Sequence, residues 1–400
     1  MKYLVVLGDG MADFKVEELN FKTPLECAVK PNIDKLAQNG EMGLVATVPA
    51  NMKPGSDVAN LAVMGYNPQV YYSGRSPLEA ASIGIDMKET DLAIRCNLVT
   101  LSEEENYADK TMVDYSSEEI STNEADQLIK AVQDALGNDI LQFYTGISYR
   151  HCLIWHQGEM GLGCTPPHDI LEQKITAYLP QNSMILELQK KSYEILKNHP
   201  VNINRKQQGL RPANSIWLWG EGKKPQLTDF YQLHGKKASV ISAVDLIKGI
   251  GLCAGMTSID VEGATGTVHT NFDGKTKAIM AEFDRGQEFV YAHFEAPDEC
   301  GHQKDIANKV KSIELIDQKV VGPMVQYFEE KGEPYSIMVL PDHPTPLKLR
   351  THTADPVPFL IYRSNNVKQQ PNGYTEEHAA KTGLFISEGY KIMNYFLEER

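Results

Sequence analysis

Three loops of this chain place acids and imidazoles where an apolar run stops. Asp9 follows the run Tyr3–Leu7 in Leu-Gly-Asp-Gly-Met-Ala-Asp. Asp298 and His302 follow Phe289–Phe294 in Phe-Glu-Ala-Pro-Asp-Glu-Cys-Gly-His, and Asp342 and His343 follow Ser336–Leu340 in Val-Leu-Pro-Asp-His. His352, in Thr-His-Thr-Ala-Asp-Pro-Val-Pro, leads into a fourth run. Singly, each has an ordinary reading: Asp9-Gly10 is a turn signal, Asp298 a loop acid and His302 a helix-start residue. Recurrence decides against that reading. Ligand sites in open α/β sheets lie beyond the carboxyl ends of the strands, so these loops are expected to meet in one crevice. Three aspartates and three histidines make a mixed oxygen and nitrogen donor field. Such a field suits Mn²⁺ best, with Zn²⁺ or Co²⁺ tolerated and Mg²⁺ less suited. Six donors exceed what one catalytic ion with an open position takes, and match two divalent ions sharing a phosphate.

Ser56 stands in Lys-Pro-Gly-Ser-Asp-Val-Ala-Asn-Leu-Ala-Val-Met-Gly, where Pro54-Gly55 turns the chain and a short helix runs from Asp57 to Gly65. Taken alone, this segment reads as a serine N-cap. Beside a metal set, the same hydroxyl reads as a nucleophile at a helix N-terminus, where free N–H groups favour alkoxide and phosphate. The segment by itself does not separate the two readings. An anionic substrate also needs cations that recognise phosphate or carboxylate. Arg75, Arg95, Arg150, His151, Arg205, Arg211 and Lys237 are the candidates, most of them in or beside the middle of the chain. For any one of them, surface solvation is an equal reading.

The elements that must position these residues alternate. Apolar runs at Tyr3–Leu7, Gly43–Val48, Ala238–Ser242, Phe289–Phe294, Ser336–Leu340 and Pro358–Tyr362 read as strands, several of them continuous as in a sheet covered on both faces. Pro31 to Ala37, closed by Gly40, reads as a short helix. Ile306, Val310, Ile313, Val320, Met324 and Phe328 form one stripe of a long helix. The pattern predicts an α/β domain with a largely parallel sheet. From about Thr90 to Gly235 it becomes irregular, with an acidic helical stretch at Ser116–Leu136, strands at Gln142–Tyr149 and Cys152–His156, and a polar link at Asn198–Asn214. A second domain at 90–235, inserted into a first one formed by 1–89 and 236–400, is expected.

Four hundred residues exceed one ordinary core. A net charge of −14 argues against nucleic acid or an anionic membrane as partner. The partner expected instead is a small anionic phosphorylated molecule, and oligomeric state is left open. Six scattered cysteines without a Cys-x-x-Cys pair fit reduced thiols, and no stretch is long and uncharged enough to span a bilayer. A cytoplasmic location is expected, with no nucleic acid and no membrane bound.

Taken together, the motifs resemble the cofactor-independent phosphoglycerate mutases of the archaeal-type branch, within the alkaline phosphatase superfamily. The resemblance runs through Asp9-Gly10-Met11, Pro54-Gly55-Ser56-Asp57, Ala296-Pro297-Asp298, Gly301-His302, Pro341-Asp342-His343 and His352 to Pro358. It extends to Ile241–Gly251 and Gly263-Ala264-Thr265-Gly266, which carry no ligand. It implies an alkaline-phosphatase-like sheet domain with helices on both faces, holding the metals and interrupted by a smaller α+β domain that holds substrate. It further implies one ion on Asp9, Ser56, Asp342 and His343 and another on Asp298, His302 and His352. Ser56 would take the phosphoryl group of 3-phosphoglycerate and return it to the 2-hydroxyl, with domain closure gating turnover. Two positions depart from the pattern: Ala12, where the family usually has Gly, and Trp219, where a basic residue is usual. The aromatic Trp217-Leu218-Trp219-Gly220 also resembles a sister branch proposed to act as homoserine kinases, which makes a phosphotransferase of that kind the alternative.

Overall fold

The computed structural model describes residues 1–398. The chain divides into two compact units, Met1–Tyr72 with the part from Leu227 onward, and Ser73–Gln226. The junctions expected at 89/90 and 235/236 therefore fall earlier, after Tyr72 and after Gln226. The helix Ser76–Ser82 lies against the first strand of the insert, with Glu79 paired to Arg95 of that strand.

In chain order the strands are β1 (Lys2–Gly8), β2 (Glu41–Val45), β3 (Leu92–Leu101), β4 (Met112–Asp114), β5 (Leu141–Ile147), β6 (Arg150–Trp155) and β7 (Ser215–Lys223). There follow β8 (Ala238–Ile241), β9 (Thr257–Ile259), β10 (Phe289–Phe294), β11 (Tyr335–Leu340), β12 (Val357–Arg363) and β13 (Phe385–Ile386). The first unit is built on an eight-stranded sheet in the order β13-β2-β12-β11-β1-β10-β8-β9. β11, β1, β10, β8 and β9 run parallel, and β12 alone is antiparallel to its neighbours. Every residue of β10 and β11 is buried, which is why these strands read as unbroken apolar runs rather than alternating ones.

Helices cover both faces of this sheet. Leu4, Val6, Val290, Ala292, Ile337 and Val339 pack against Ile33, Ile279, Ile313, Val320 and Phe328 on one side. On the other, the Tyr3 ring meets Phe396, and Tyr291 reaches Asn60 of the helix Ser56–Val63. The long helix expected through Ile306 and Phe328 is one rod in three parts: α-helix Ile306–Ile316, a π-helical turn Asp317–Val321, and α-helix Gly322–Lys331. Gly322 N–H reaches the carbonyl of Asp317, so the turn widens just ahead of Pro323, which has no N–H to continue an α ladder.

The second unit carries an antiparallel sheet in which β3 pairs with β4, β6 and β7, and β6 with β5. Leu92, Ile94, Cys96 and Leu98 of β3 pack against Leu128, Ile129, Leu188 and Leu196 of two helices. Alternation along β3 turns Arg95 and Asn97 to the opposite face. The link expected at Asn198–Asn214 contains a helix, Pro200–Gln207, started by proline at its first position and capped by His199. No helix among the described residues is long and apolar enough to cross a membrane.

Candidate active site

Every acidic or imidazole residue singled out at a strand end lies on the carboxyl edge of the large sheet. Asp9 continues β1, Asp298 sits in the first turn of the helix Ala296–Gln303 after β10, and Asp342-His343 continue β11. His302 stands one turn after Asp298 on the same helix, so both face one way. His352 lies in the loop that enters β12.

Two clusters result. His302 Nε2 is 3.2 Å from Asp298 Oδ2, His352 Nε2 is 3.3 Å from Asp298 Oδ1, and the two imidazole nitrogens are 2.9 Å apart. His343 Nε2 is 3.6 Å from Asp9 Oδ1 and 3.4 Å from Asp342 Oδ2. His343 stands between the sets, its donor atom close enough to serve with Asp298 and His352 or with Asp9 and Asp342. Ser56 Oγ lies 3.2 Å from His343 Nε2 and 3.5 Å from Asp9 Oδ2.

The local fold separates the two readings of Ser56. Gly55 occupies the N-cap position and Ser56 is the first residue of its helix, so its hydroxyl caps nothing. It points into the ligand set instead. Gly10 allows the loops to approach: its φ is +60°, and a Cβ there would fall 2.5 Å from Thr345 Oγ1 and 2.7 Å from Asp298 Oδ1.

The donor set fits cations. Asp9 Oδ1 is buried without a hydrogen-bond partner. Burial, with the charges of Asp342, Asp298 and Glu295 close by, raises the Asp9 carboxyl well above the usual range. A buried carboxylate among other acids is costly unless a cation compensates it. Burial would raise Asp298 too, but hydrogen bonds with His302 and His352 and the nearby His343 hold it well below the ordinary value. The hydrogen bond to Asp298 lifts His302 to about 9. His302 Nδ1 donates to the Arg350 carbonyl at 3.0 Å, so in the neutral ring Nε2 is a lone pair facing His352 and Asp298. Thr345 donates to Asp298, and its oxygen lies 3.3 Å from His343 Nδ1. With that nitrogen as donor, His343 Nε2 is left bare toward Ser56 and Asp9.

Several residues of this region carry no signal that sequence reasoning used. Asn60 gives its amide to Asp342 Oδ2 and to the Ser56 carbonyl, each at 2.8 Å. It stands one turn after Ser56, and the readable hint was one amide inside the apolar stretch Val58–Val63. His293 lies 2.9 Å from Asp9 Oδ2, a lone imidazole inside an apolar run. Lys309, fully buried, joins Asp13 Oδ2 and the Thr345 carbonyl at 2.8 Å each, tying the first loop to the loop after β11.

The basic residues divide. In the second unit Arg95, Arg150 and His151 line a cavity of about 150 Å³ with Glu79, Asn97, Tyr115, Tyr149, His168 and Trp219. Glu79 pairs with Arg95 through two oxygens and lies 3.8 Å from Arg75. Burial opposes ionisation of Glu79, yet the charges of Arg95, Arg75 and Arg150 hold it below its ordinary value. Three guanidinium groups against one carboxylate leave the cluster with a net charge of +2 (3 − 1). Trp219, the departure noted above, stacks its ring 4.4 Å from the Arg95 guanidinium and donates to Asn97. The His151 ring is buried, with Nδ1 accepting from Gly146 N–H.

Arg205, Arg211 and Lys237 do not join this group. Arg205 is 3% exposed and committed to Glu124, the Ser117 carbonyl and the Arg211 carbonyl. Arg211 pairs with Asp114 and Glu118. Lys237 precedes β8, at the amino edge of the parallel strands and opposite the edge that carries Asp9 and Asp342. Sequence proximity to a domain junction was a poor guide because strand direction, not chain position, decides which edge a residue reaches.

A largely parallel sheet with acids and imidazoles gathered around a serine at its carboxyl edge has the make-up of a metal-dependent phosphoryl-transfer enzyme. The family described as 2,3-bisphosphoglycerate-independent phosphoglycerate mutase matches residues 37–202. A probable 2,3-bisphosphoglycerate-independent phosphoglycerate mutase of Geobacter sulfurreducens is 46% identical over 402 residues, covering 100% of both chains. The Methanosarcina barkeri protein of that name is 46% identical over 390 residues, 96% of each chain. A solved protein from Pyrococcus horikoshii superposes with a TM-score of 0.83 at 29% identity, over 100% of this chain and 98% of that one. The chain belongs to the family of 2,3-bisphosphoglycerate-independent phosphoglycerate mutases.

Proposed function

We propose that the chain interconverts 3-phosphoglycerate and 2-phosphoglycerate through a phosphoserine at Ser56. The observation that carries this reading is the Ser56 hydroxyl, spared from capping and held 3.2 Å from His343 and 3.5 Å from Asp9. Ser56 Oγ attacks phosphorus, the bond from phosphorus to the 3-oxygen breaks, and the serine proton leaves as that oxygen gains one. The 2-oxygen of the retained glycerate then attacks the phosphoserine and restores the hydroxyl. Asp9, Asp342, His343 and Ser56 would hold one divalent cation and Asp298, His302 and His352 another. When bound, these ions supply charge neutralisation for the transferring phosphoryl group and lower the pKa of the serine hydroxyl. The oxygen and nitrogen donors favour Mn²⁺, with Zn²⁺ or Co²⁺ tolerated. Free N–H groups at the start of the helix Ser56–Val63 add to the pull on a bound anion.

The chain's cations supply recognition. Arg95 and Arg150, with Arg75 joined through Glu79, form a positive cluster suited to a ligand bearing phosphate and carboxylate. Trp219 acts there by holding Arg95 flat, which supports an anionic rather than a zwitterionic ligand. We further propose a cytoplasmic location, which the scatter of the six cysteines without a Cys-x-x-Cys pair supports.

Incubation with 3-phosphoglycerate and Mn²⁺, followed by phosphorus NMR, is expected to show the 2-isomer without added bisphosphoglycerate. Ser56→Ala is expected to abolish the signal while metal content stays at the wild-type level. Isomerisation by that variant would refute the phosphoserine route. Absence of isomerisation with every divalent ion tried would refute the substrate.

A further inference from the structure

Strand β10 crosses the sheet beside β1, and two polar side chains interrupt its apolar sequence on one face, Tyr291 and His293. They are two residues apart, so the pleat points both toward the helix Ser56–Val63. Both are fully buried. An apolar side chain would fill either place without the cost of desolvating a polar group.

The hydrogen bonds around His293 run in one direction. Val244 N–H donates to Ser242 Oγ at 2.9 Å, which leaves the Ser242 proton for His293 Nδ1 at 3.2 Å. With Nδ1 accepting, the neutral ring carries its proton on Nε2, and that proton meets Asp9 Oδ2 at 2.9 Å. Asp9 Oδ2 is therefore held from behind, with Ser56 Oγ 3.5 Å from it, and Oδ1 is the oxygen without a hydrogen-bond partner. Tyr291 begins a parallel chain. Its hydroxyl donates to Asn60 Oδ1 at 2.6 Å, which fixes the amide so that Nδ2 serves Asp342 Oδ2 and the Ser56 carbonyl, each at 2.8 Å. The Asp342 carboxylate and the Ser56 carbonyl only accept and so select the amide nitrogen, and the tyrosine proton holds the same orientation from the oxygen end.

We propose that β10 is the buttress of the cation site, with His293 positioning the Asp9 carboxylate and Tyr291, through Asn60, positioning Asp342 and Ser56. The inference rests on the metal reading of that site. Neither residue touches substrate or reacting atoms. His293 holds Asp9 Oδ2, and Asn60 holds Asp342 Oδ2 while the Gly10 and His343 N–H groups hold its Oδ1. Groups in such positions typically change metal affinity about 10- to 100-fold when removed.

The test is calorimetric titration of the metal-free protein with Mn²⁺, with bound metal counted and thermal unfolding of the metal-free form recorded alongside. His293→Phe is expected to weaken one of two Mn²⁺ sites about 10- to 100-fold and leave the other at wild-type affinity. Tyr291→Phe, which removes a single oxygen, is expected to weaken the same site. His293→Gln, whose amide can still donate to Asp9, is expected to recover part of the loss. Wild-type Mn²⁺ affinity at both sites in His293→Phe and Tyr291→Phe would overturn the proposal. If His293→Phe does not fold, Tyr291→Phe decides, and wild-type affinity there overturns it. A wild-type protein that takes up no Mn²⁺ or other divalent ion would instead refute the metal reading on which the proposal stands.

Discussion

His151 offers a quantitative check on the interior of the inserted unit. Its ring is 5% exposed and burial pushes the imidazole from 6.5 down to about 3, with the charge of Asp126 acting the other way. The unfolded chain then binds the proton more readily than the folded one. Stability contributed by the neutral ring is fully present above pH 6.5 and drains away as the pH falls toward 3. At about 1.36 kcal/mol per pH unit, going from pH 6.5 to about pH 4.5 removes about 2.7 kcal/mol. The three tryptophans, Trp155, Trp217 and Trp219, all lie in this unit, so their fluorescence follows its unfolding and not that of the larger sheet. Urea unfolding of the wild type and of His151→Asn is compared at about pH 7 and about pH 4.5. Carboxylates held below their ordinary values, such as Glu79 and Asp114, lose stability in acid in both proteins and cancel in the comparison. The stability gap between the two is expected to shift by about 2.7 kcal/mol in favour of the variant on acidification. A gap that stays constant with pH would mean that His151 titrates alike in both states, and would refute the argument from burial.

Other perturbations separate structural from functional cations. Lys309→Met leaves the buried Asp13 carboxylate unpaired and is expected to cost about 3–5 kcal/mol, measured by scanning calorimetry. Adding Asp13→Asn is expected to recover part of that loss, and a double variant less stable than the single one would contradict the pairing. Arg150→Ala is expected to raise KM for 3-phosphoglycerate in steady-state kinetics. Arg205→Ala is expected to leave KM unchanged while costing about 1.5–3 kcal/mol in urea unfolding, because its guanidinium serves internal acceptors. Mn²⁺ at about 100 times its dissociation constant is expected to stabilise the metal-free protein by about 2.7 kcal/mol. No shift in its melting temperature would speak against binding in the folded state.

Asp9, Asp298 and Asp342 were readable because each follows a strand whose apolar run is unmistakable, and a parallel sheet sends every such end to the same edge. His302 was readable with Asp298, since residues four positions apart on a helix share a face. The sheet itself was legible for the same reason: strands buried on both faces leave no polar alternation to confuse with a helix. The insert was harder. Its first helix, Ser76–Ser82, looks like a continuation of the preceding segment, and long-range partners assign it to the second unit: Glu79 pairs with Arg95, Ser76 donates to the Gly220 carbonyl, and Ala80 packs with Ala93 and Ile154.

By itself, then, the order of residues determined the acids and imidazoles of the candidate site, the strand ends that bear them, the parallel sheet and the family. Those properties are local or periodic, so a linear string carries them. The tertiary structure decided which residues support and which do not. Arg205 and Lys237 look like Arg95 and Arg150 in the sequence, yet burial among carbonyls and the direction of a strand take them elsewhere. His293 and Asn60 look like core residues, yet they meet Asp9 and Asp342 from 284 and 282 residues away. Hydrogen-bond partnership at that separation is set by packing of the folded chain, and no spacing rule along the sequence encodes it.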